Sequence, residues 1–116
     1  MAKIGTEEFI QEQIRISKHR DDAYREAFFI AVSANELTTK NIDKLYDFES
    51  GSIKPQGLRM GWQTGESTRI TRLAFNLYNG FVTGSDCTVY TPYFIFSHDV
   101  KTRAKQFEAI NALFGG

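Results

Sequence analysis

The chain has 116 residues, of which 41% are hydrophobic and 24% are charged. These are the values of an ordinary globular domain, and the length is enough to bury a core without disulfides, so we expect one domain over residues 1–116. The 14 basic and 14 acidic side chains cancel. A neutral chain has no overall field that attracts nucleic acid, which argues against a general nucleic-acid binder.

The single cysteine, Cys87, cannot form an internal disulfide, which favours a reducing cytosol. No apolar stretch approaches the roughly 20 residues of a membrane span, and no signal peptide is evident, so we expect a cytoplasmic protein without membrane contact. His19 and His98 lack the spacing of metal ligands, and no known catalytic motif occurs. We therefore expect no metal, no cofactor and no enzymatic activity.

Residues 6–19 and 22–34 carry the first two helix signals. Thr6 can cap the first helix, whose early acidic and late basic side chains suit the helix dipole. Asp22 can cap the second helix, which is the most apolar early segment. Its four consecutive apolar residues, 28–31, would also fit a buried strand, but the alanine content favours a helix.

The next stretch carries weaker signals. A third, short helix is expected to start at Thr38 or Thr39 and to run through Phe48. Residues 49–61 contain three glycines and a proline, which predicts a loop within the domain.

Residues 61–80 contain the clearest helix pattern and the only tryptophan, Trp62. Thr64 or Ser67 can cap the start of this helix, and Gly80 stands where a left-handed residue would end it. Apolar side chains recur with the period of a helix that buries one face, at Ile70, Leu73, Ala74, Leu77 and Tyr78.

Two further helices are expected after residue 90. Thr91 and Pro92 start a short apolar helix that should be buried or lie in an interface. Asp99 can cap the last helix, whose expected buried face consists of Val100, Ala104, Phe107, Ile110, Leu113 and Phe114. Residues 81–90 are interpreted as loop, and a short β element near 86–90 stays open as an alternative. The predicted fold class is therefore all-α, with five to six helices around one core.

Three segments resemble a known family: LYDFESGSIKP at 45–55, GWQTGESTRITRLAFNLYNG at 61–80 and TPYFIF at 91–96. They are similar to an uncharacterised family of small domains from Firmicutes, their mobile elements and their phages. The chain departs from the family pattern between residues 81 and 90 and at its C-terminal end. The resemblance implies a phage or mobile-element protein in the host cytoplasm, and it brings no assigned activity.

The start of the 61–80 helix is the best candidate binding site. A helix N-terminus offers free N–H groups that can bind an anion. Nearby hydroxyls and two arginines can hold phosphate, and the indole of Trp62 offers a flat face for a base. We favour a structural interpretation over binding, in which Thr64 or Ser67 only caps the helix and Trp62 fills the core. Glu66 supports it because this acid already occupies the positive end of the dipole. The candidate ligand-binding residues are Trp62, Gln63, Thr64, Ser67, Thr68, Arg69, Arg72 and Asn76.

Two functional hypotheses follow. The first is a non-enzymatic counter-defence protein that sequesters a nucleotide-derived signalling molecule. The second is an inhibitor or adaptor that binds a host defence protein through exposed aromatic side chains. The aromatic cluster at 90–96 is interpreted as core or, alternatively, as the interface of a homo-oligomer. Whether Trp62 and both arginines line one cavity discriminates between the two hypotheses.

Overall fold

The computed structural model describes residues 2–83 and 90–115, which form a compact helical domain with one very small sheet. This confirms the all-α fold class. The helices are α1 (Glu7–His19), α2 (Ala23–Val32), α3 (Glu36–Lys40), α4 (Gly65–Asn79), α5 (Pro92–Ile95) and α6 (Val100–Phe114). The strands β1 (Tyr46–Asp47) and β2 (Ser52–Ile53) pair antiparallel, and 3₁₀ turns cover Ile42–Lys44 and Pro55–Arg59. None of the described helices is long and apolar enough to cross a membrane.

Helix α2 lies at the centre of the domain. It packs against α1, α4 and α6, and all six residues from Ala27 to Val32 are buried. The second half of α2 is apolar on every side and is stable only when neighbours cover every side, and three helices do so here. The carboxylate of Asp22 accepts a hydrogen bond from the backbone N–H of Arg25 at 3.1 Å, which confirms the predicted cap.

Phe28 joins α2 to the elements around it. Its side chain has no solvent exposure, and its ring centroid lies 5.0–6.4 Å from the rings of Phe29, Tyr46, Phe75 and Tyr78. These four rings come from α2 itself, β1 and α4. Aromatic contacts at such distances add to the free energy gained by burying the rings, so this cluster fixes how the hairpin and α4 pack on α2.

The small hairpin is tied to α4 by hydroxyl groups. The Tyr46 and Tyr78 hydroxyl oxygens are 3.1 Å apart, and the Tyr78 hydroxyl donates to the carbonyl of Gly51 in the turn. Gly51 has a φ of +71°, a conformation that costs glycine little. Burial, followed by the contact with Tyr78, raises the pKa of Tyr46 above its ordinary value, so this hydroxyl stays neutral.

Helix starts with a side-chain cap were predicted correctly at three further places. The side-chain oxygens of Thr6, Thr64 and Asp99 each accept a hydrogen bond from a backbone N–H in the first turn of α1, α4 and α6. Gly80 ends α4 with a left-handed φ of +79°, as expected. These features depend on residues within one turn of each other, which is why the sequence alone identifies them.

A third short helix is present, but its predicted start at Thr38 or Thr39 and its predicted extent through Phe48 are wrong. Helix α3 instead starts after Asn35, whose side chain accepts from the N–H groups of Leu37 and Thr38 at 2.8 and 3.2 Å. The buried hydroxyl of Thr38 donates to the carbonyl of Val32 at 2.6 Å, so it ties α3 to the end of α2. Beyond Lys40 the chain forms a 3₁₀ turn and then β1. The expected loop at 49–61 contains β2 and the second 3₁₀ turn.

The prediction of which face of α6 is buried is also wrong in part. Phe107 is 54% exposed and Phe114 is 74% exposed. The residues that α6 buries are Thr102, Gln106 and Ala109. The Gln106 side-chain amide donates to the Ile95 carbonyl at 2.8 Å, and this bond lets a polar residue occupy the core.

The aromatic segment at 91–96 is less buried than expected. Of its large side chains, Ile95 is buried, whereas Tyr93 is 80% exposed and Phe94 is 46% exposed. The interpretation of the whole segment as core is therefore wrong. Residues 84–89 lie outside the described part of the chain, and with them most of the expected β element near 86–90.

Replacing Phe28 with Ala tests the role of the aromatic cluster. We expect the free energy of unfolding to fall by about 3–5 kcal/mol, because a buried ring is lost and a cavity remains. Urea unfolding followed by circular dichroism measures the change. Tyr24→Ala is a matched control on the same helix, where the ring is 57% exposed and a loss within about 1 kcal/mol is expected. Equal losses for the two variants would contradict the central role of Phe28.

Candidate functional site: the flanks of helix α4

The hydroxyls at the start of α4 bond to the chain itself. The Thr64 side chain accepts from the Ser67 N–H at 3.1 Å, and the Ser67 side chain accepts from the Thr64 N–H at 2.8 Å. The Ser67 hydroxyl also donates to the Gln63 side-chain carbonyl at 2.6 Å, and the Thr68 hydroxyl lies 3.5 Å from that same oxygen. Four of the predicted site residues thus form one capping network.

Gln63 extends this network to the 3₁₀ turn before α4. Its side-chain amide donates to the Gly57 carbonyl at 3.1 Å and to the Thr71 hydroxyl at 3.2 Å. Trp62 is half-buried against the core, and its indole N–H donates to the Met60 sulfur at 3.4 Å. These contacts agree with the structural interpretation that the sequence favours for the start of α4.

Arg69 extends towards the connection between α5 and α6. Its guanidinium donates to the Ser97 carbonyl at 3.3 Å. The side chain of His98 has no solvent exposure, and its Nδ1 lies 3.6 Å from a carboxylate oxygen of Glu66. Burial, followed by the nearby charge of Arg69, lowers the pKa of His98, so the imidazole is neutral at neutral pH.

Arg72 extends the other way, towards the segment that follows α4. Its guanidinium donates to the Thr83 hydroxyl at 2.9 Å and lies 5.5 Å from the ring centroid of Tyr90. A guanidinium over an aromatic face is held by the ring quadrupole. The structure therefore does not gather Trp62 and the two arginines in one cavity, which counts against the nucleotide site predicted at the start of α4.

Arg72 lines a cleft of about 450 Å³ between the second 3₁₀ turn and α4. The lining residues are Pro55, Gln56, Leu58, Arg59, Arg72, Phe81 and Thr83. We call this cavity the arginine cleft. None of its lining residues is acidic, and neither Arg59 nor Arg72 forms an ion pair with a described residue. Two arginines that form no ion pair within the described part of the chain, next to an aromatic ring, suit an anion that carries a flat group.

Asn76 supports the cleft indirectly. Its side-chain amide donates to the Phe81 carbonyl at 3.3 Å, and the Asn79 side chain accepts from the Phe81 N–H at 3.1 Å. Both asparagines stand in the last turn of α4, and Gly80 turns the chain back beside them. The ring of Phe81 packs edge-on against Phe75 at 5.7 Å, which fixes one wall of the cleft.

Arg59 and Phe81 are not among the residues predicted from the sequence. Phe81 had a local signal, because a left-handed Gly80 returns the chain towards the helix it has just left. Arg59 had none, because it lies on a 3₁₀ turn inside a segment that was interpreted as loop. Among the described residues, no group of three or more His, Cys, Asp and Glu side chains could hold a metal ion. Cys87 lies outside the described residues.

The comparison with known protein families gives a match over almost the whole chain. A single family model matches residues 2–116. The chain belongs to DUF6075, a family of unknown function. No curated protein and no solved structure matches it. Membership of DUF6075 supplies no activity, so the geometry of the site is the basis for a functional proposal.

Ser67→Ala tests the capping network. The change removes the acceptor of the Thr64 N–H and the donor to Gln63, so we expect the free energy of unfolding to fall by about 1–2 kcal/mol. Chemical unfolding measures it. Thr68→Ala is the matched control, because the long contact of that hydroxyl should contribute much less. A Ser67 variant as stable as the wild type would show that the network does not stabilise α4.

The pH dependence of stability tests the environment of His98. The folded protein holds its imidazole neutral, so below about pH 6.5 the unfolded chain binds more protons than the folded chain. Stability should therefore be complete above pH 6.5 and decline as the pH falls towards the lowered pKa of His98. Urea unfolding at pH 7.5 and 5.5 should show this decline in the wild type and a smaller one in His98→Gln.

His19→Gln is the control for this experiment, because it removes the other histidine. The carboxyl of Asp99, next to His98, has a pKa lowered chiefly by the Thr102 N–H, so its contribution is lost only below about pH 4, outside the window. An identical decline in the wild type and in His98→Gln would contradict the assignment to His98.

Proposed function

We propose that this member of DUF6075 is a non-enzymatic binding protein that sequesters a small nucleotide-derived anion in the arginine cleft. The observation that carries the proposal is the lining of one cavity by Arg59 and Arg72 with no carboxylate among the described residues that line it. A carboxylate in the cleft would neutralise a cation and repel phosphate. Its absence from the lining leaves both guanidinium groups able to accept an anion.

The chemistry of the lining suits a nucleotide. Guanidinium groups bind phosphate oxygens in a fork of two hydrogen bonds, and Phe81 offers a face on which a base can stack. Arg72 is already oriented by Thr83 and Tyr90, so little side-chain entropy is lost when it binds. The volume of about 450 Å³ lies within the range of small-ligand pockets.

The proposed setting is the conflict between a phage or mobile element and its host. A protein that only holds a signalling nucleotide needs no catalytic group, and it acts by lowering the concentration of the free signal in the host cytoplasm. The proposal keeps Arg72 and Asn76 from the residues predicted from sequence and adds Arg59 and Phe81. The network of Thr64 and its neighbours supports α4, which carries Arg72.

Glutamine substitutions at Arg59 and Arg72 test this proposal. A thermal-shift screen with linear and cyclic nucleotides identifies a ligand, and calorimetric titration measures its affinity. Each charge-assisted contact contributes roughly 1.5–3 kcal/mol, so each substitution should weaken binding roughly 10- to 150-fold. Wild-type affinity should also fall with added salt. Stability should change by about 0.5 kcal/mol or less in Arg59→Gln, because this residue is exposed.

Two further variants separate the cleft from other sites. Arg15→Gln, on the exposed surface of α1, should bind like the wild type. Arg69→Gln should also bind like the wild type, because Arg69 does not line the arginine cleft. A loss of nucleotide affinity confined to Arg69→Gln would favour the start of α4 as the binding site. Equal affinities for the wild type and the Arg59 and Arg72 double variant would refute the cleft.

A second candidate function is the inhibition of a host defence protein. The specific observation in its favour is the exposure of Tyr93 and Phe94 on α5, with ring centroids 5.5 Å apart. The buried bond between Gln106 and the Ile95 carbonyl holds α5 in place. Exposed aromatic side chains on a fixed element are the usual centres of protein-binding energy.

The Tyr93→Ala and Phe94→Ala double variant tests this second function. It should lose inhibition of a purified defence protein and keep its affinity for nucleotides, since neither residue lines the arginine cleft. Each truncated centre of binding energy costs roughly 2 kcal/mol or more, so inhibition should weaken at least about 30-fold. Tyr24→Ala is the control with an exposed ring elsewhere. Unchanged inhibition by the double variant would exclude α5 as the binding surface.

A further inference from the structure

Helix α6 carries a second, largely apolar stripe on the side opposite its buried residues, and within this stripe Phe107 stacks on Phe96 at 5.0 Å. Its residues are Val100, Ala104, Phe107, Asn111 and Phe114, and all of them are exposed. Val100 and Phe114, at the two ends, have about three quarters of their side chains in solvent, at 75% and 74%. Single exposed apolar residues are common on proteins, but an ordered row along one helix indicates a contact surface.

The spacing within this row is regular. The residues follow one another at intervals of four, three, four and three positions. This alternation is the heptad spacing with which one helix packs along another in a coiled coil. The residues that α6 buries in its own core, Gln106 and Ala109 among them, lie on the opposite side of the helix. The helix therefore presents a seam to a partner while its other side stays packed on α2. We call this row the α6 seam.

We propose that the α6 seam pairs in parallel with the α6 seam of a second copy of this chain. Two charged side chains beside the seam support a second copy as the partner. In a parallel coiled coil, the residue at the g position of one helix faces the e position five residues further along the partner helix. Here these positions hold Arg103 and Glu108, both exposed. A second copy therefore places opposite charges side by side, and the two-fold symmetry does so twice.

Asn111 gives an independent reason for the same partner. It occupies a core position of the seam, where an asparagine of the partner helix would be its neighbour and the two amides can bond to each other. A polar core residue of this kind costs stability and fixes register, which suits pairing with an identical sequence. The chain has no net charge, so no overall repulsion opposes the approach of two copies.

The seam is short, and this sets the expected strength of the pair. Helix α6 has 15 residues, and the small Ala104 and polar Asn111 contribute little apolar area. Interfaces of small area are transient, so we expect a dissociation constant in the roughly micromolar range. The inference is independent of the nucleotide proposal, because none of the seam residues lines the arginine cleft. The expected interface at 91–96 lies on another element, and it adjoins the seam where Phe96 stacks on Phe107 at 5.0 Å.

Sedimentation and light scattering over a range of concentrations test the proposal. The wild type should reach twice the chain mass of 13.2 kDa. Phe107→Glu should remain monomeric at the same concentrations, with unchanged helical content. Tyr24→Glu places the same charge on an exposed aromatic position of α2 and should dimerise like the wild type.

A charge exchange tests the parallel orientation. Arg103→Glu alone should weaken the dimer at least about tenfold, because two glutamates then face each other across each side of the seam. Glu108→Arg alone should do the same. The double variant Arg103→Glu and Glu108→Arg restores opposite charges, and its dissociation constant should return to within about threefold of the wild type.

Cross-linking gives a readout that does not rely on weakened variants. Asn111→Cys, in a chain whose Cys87 is replaced by Ser, should form a disulfide-linked dimer under mild oxidation, because the two core positions are adjacent in a parallel pair. Lys101→Cys, beside the seam, should cross-link much more slowly.

Three results would overturn the proposal. The first is a wild type that stays monomeric at all concentrations up to about 100 µM. If Phe107→Glu then also abolished binding of a purified defence protein, the seam would be a surface for that protein instead. The second is a dimer that Phe107→Glu leaves intact. The third is a charge-exchanged double variant that fails to recover, combined with no cross-link at position 111, which would exclude the parallel seam.

Discussion

Phe28 is shielded from water only when several elements cover α2 at once, and α1, α4, α6 and the hairpin together provide this cover. Its ring contacts Tyr46, Phe75 and Tyr78, which come from the hairpin and α4. Helices α1 and α6 cover the remaining sides of α2. The carbonyl of Val32 at the end of α2 is satisfied by the buried Thr38 hydroxyl, so the ends of this helix as well as its sides depend on its neighbours.

Helix α4 links this core to the proposed site. One side of α4 contributes Phe75 and Tyr78 to the ring cluster, and the other carries Arg72 into the arginine cleft. Its first turn is closed by the capping network, and its last turn holds Phe81 through Asn76. The cation and the aromatic wall of the cleft are therefore attached to the same rigid element, which keeps their separation constant.

The sequence was informative wherever the determinants are local. The caps at Thr6, Asp22 and Asp99 each depend on a few neighbouring residues and were predicted, and Thr64 was one of two caps predicted for α4. The buried side of α6 was not, because the hydrogen bond that brings Gln106 into the core is made with Ile95, in another element. The apolar seam gave the stronger periodic signal, and it faces solvent. For the same reason Arg72 could be singled out from sequence, whereas Arg59 reaches the cleft only through the fold.

The dependence of α2 on α6 has a consequence for biosynthesis. About 70 residues separate the end of α2 from the start of α6, and at ribosomal rates of about 5–20 residues per second their synthesis takes roughly 4–14 s. During that time α2, the most apolar helix, has left the ribosome without the neighbour that covers one of its sides. Nascent chains should therefore engage chaperones at α2, and variants that delay the docking of α6 should lower the yield of soluble protein more than their equilibrium stability suggests.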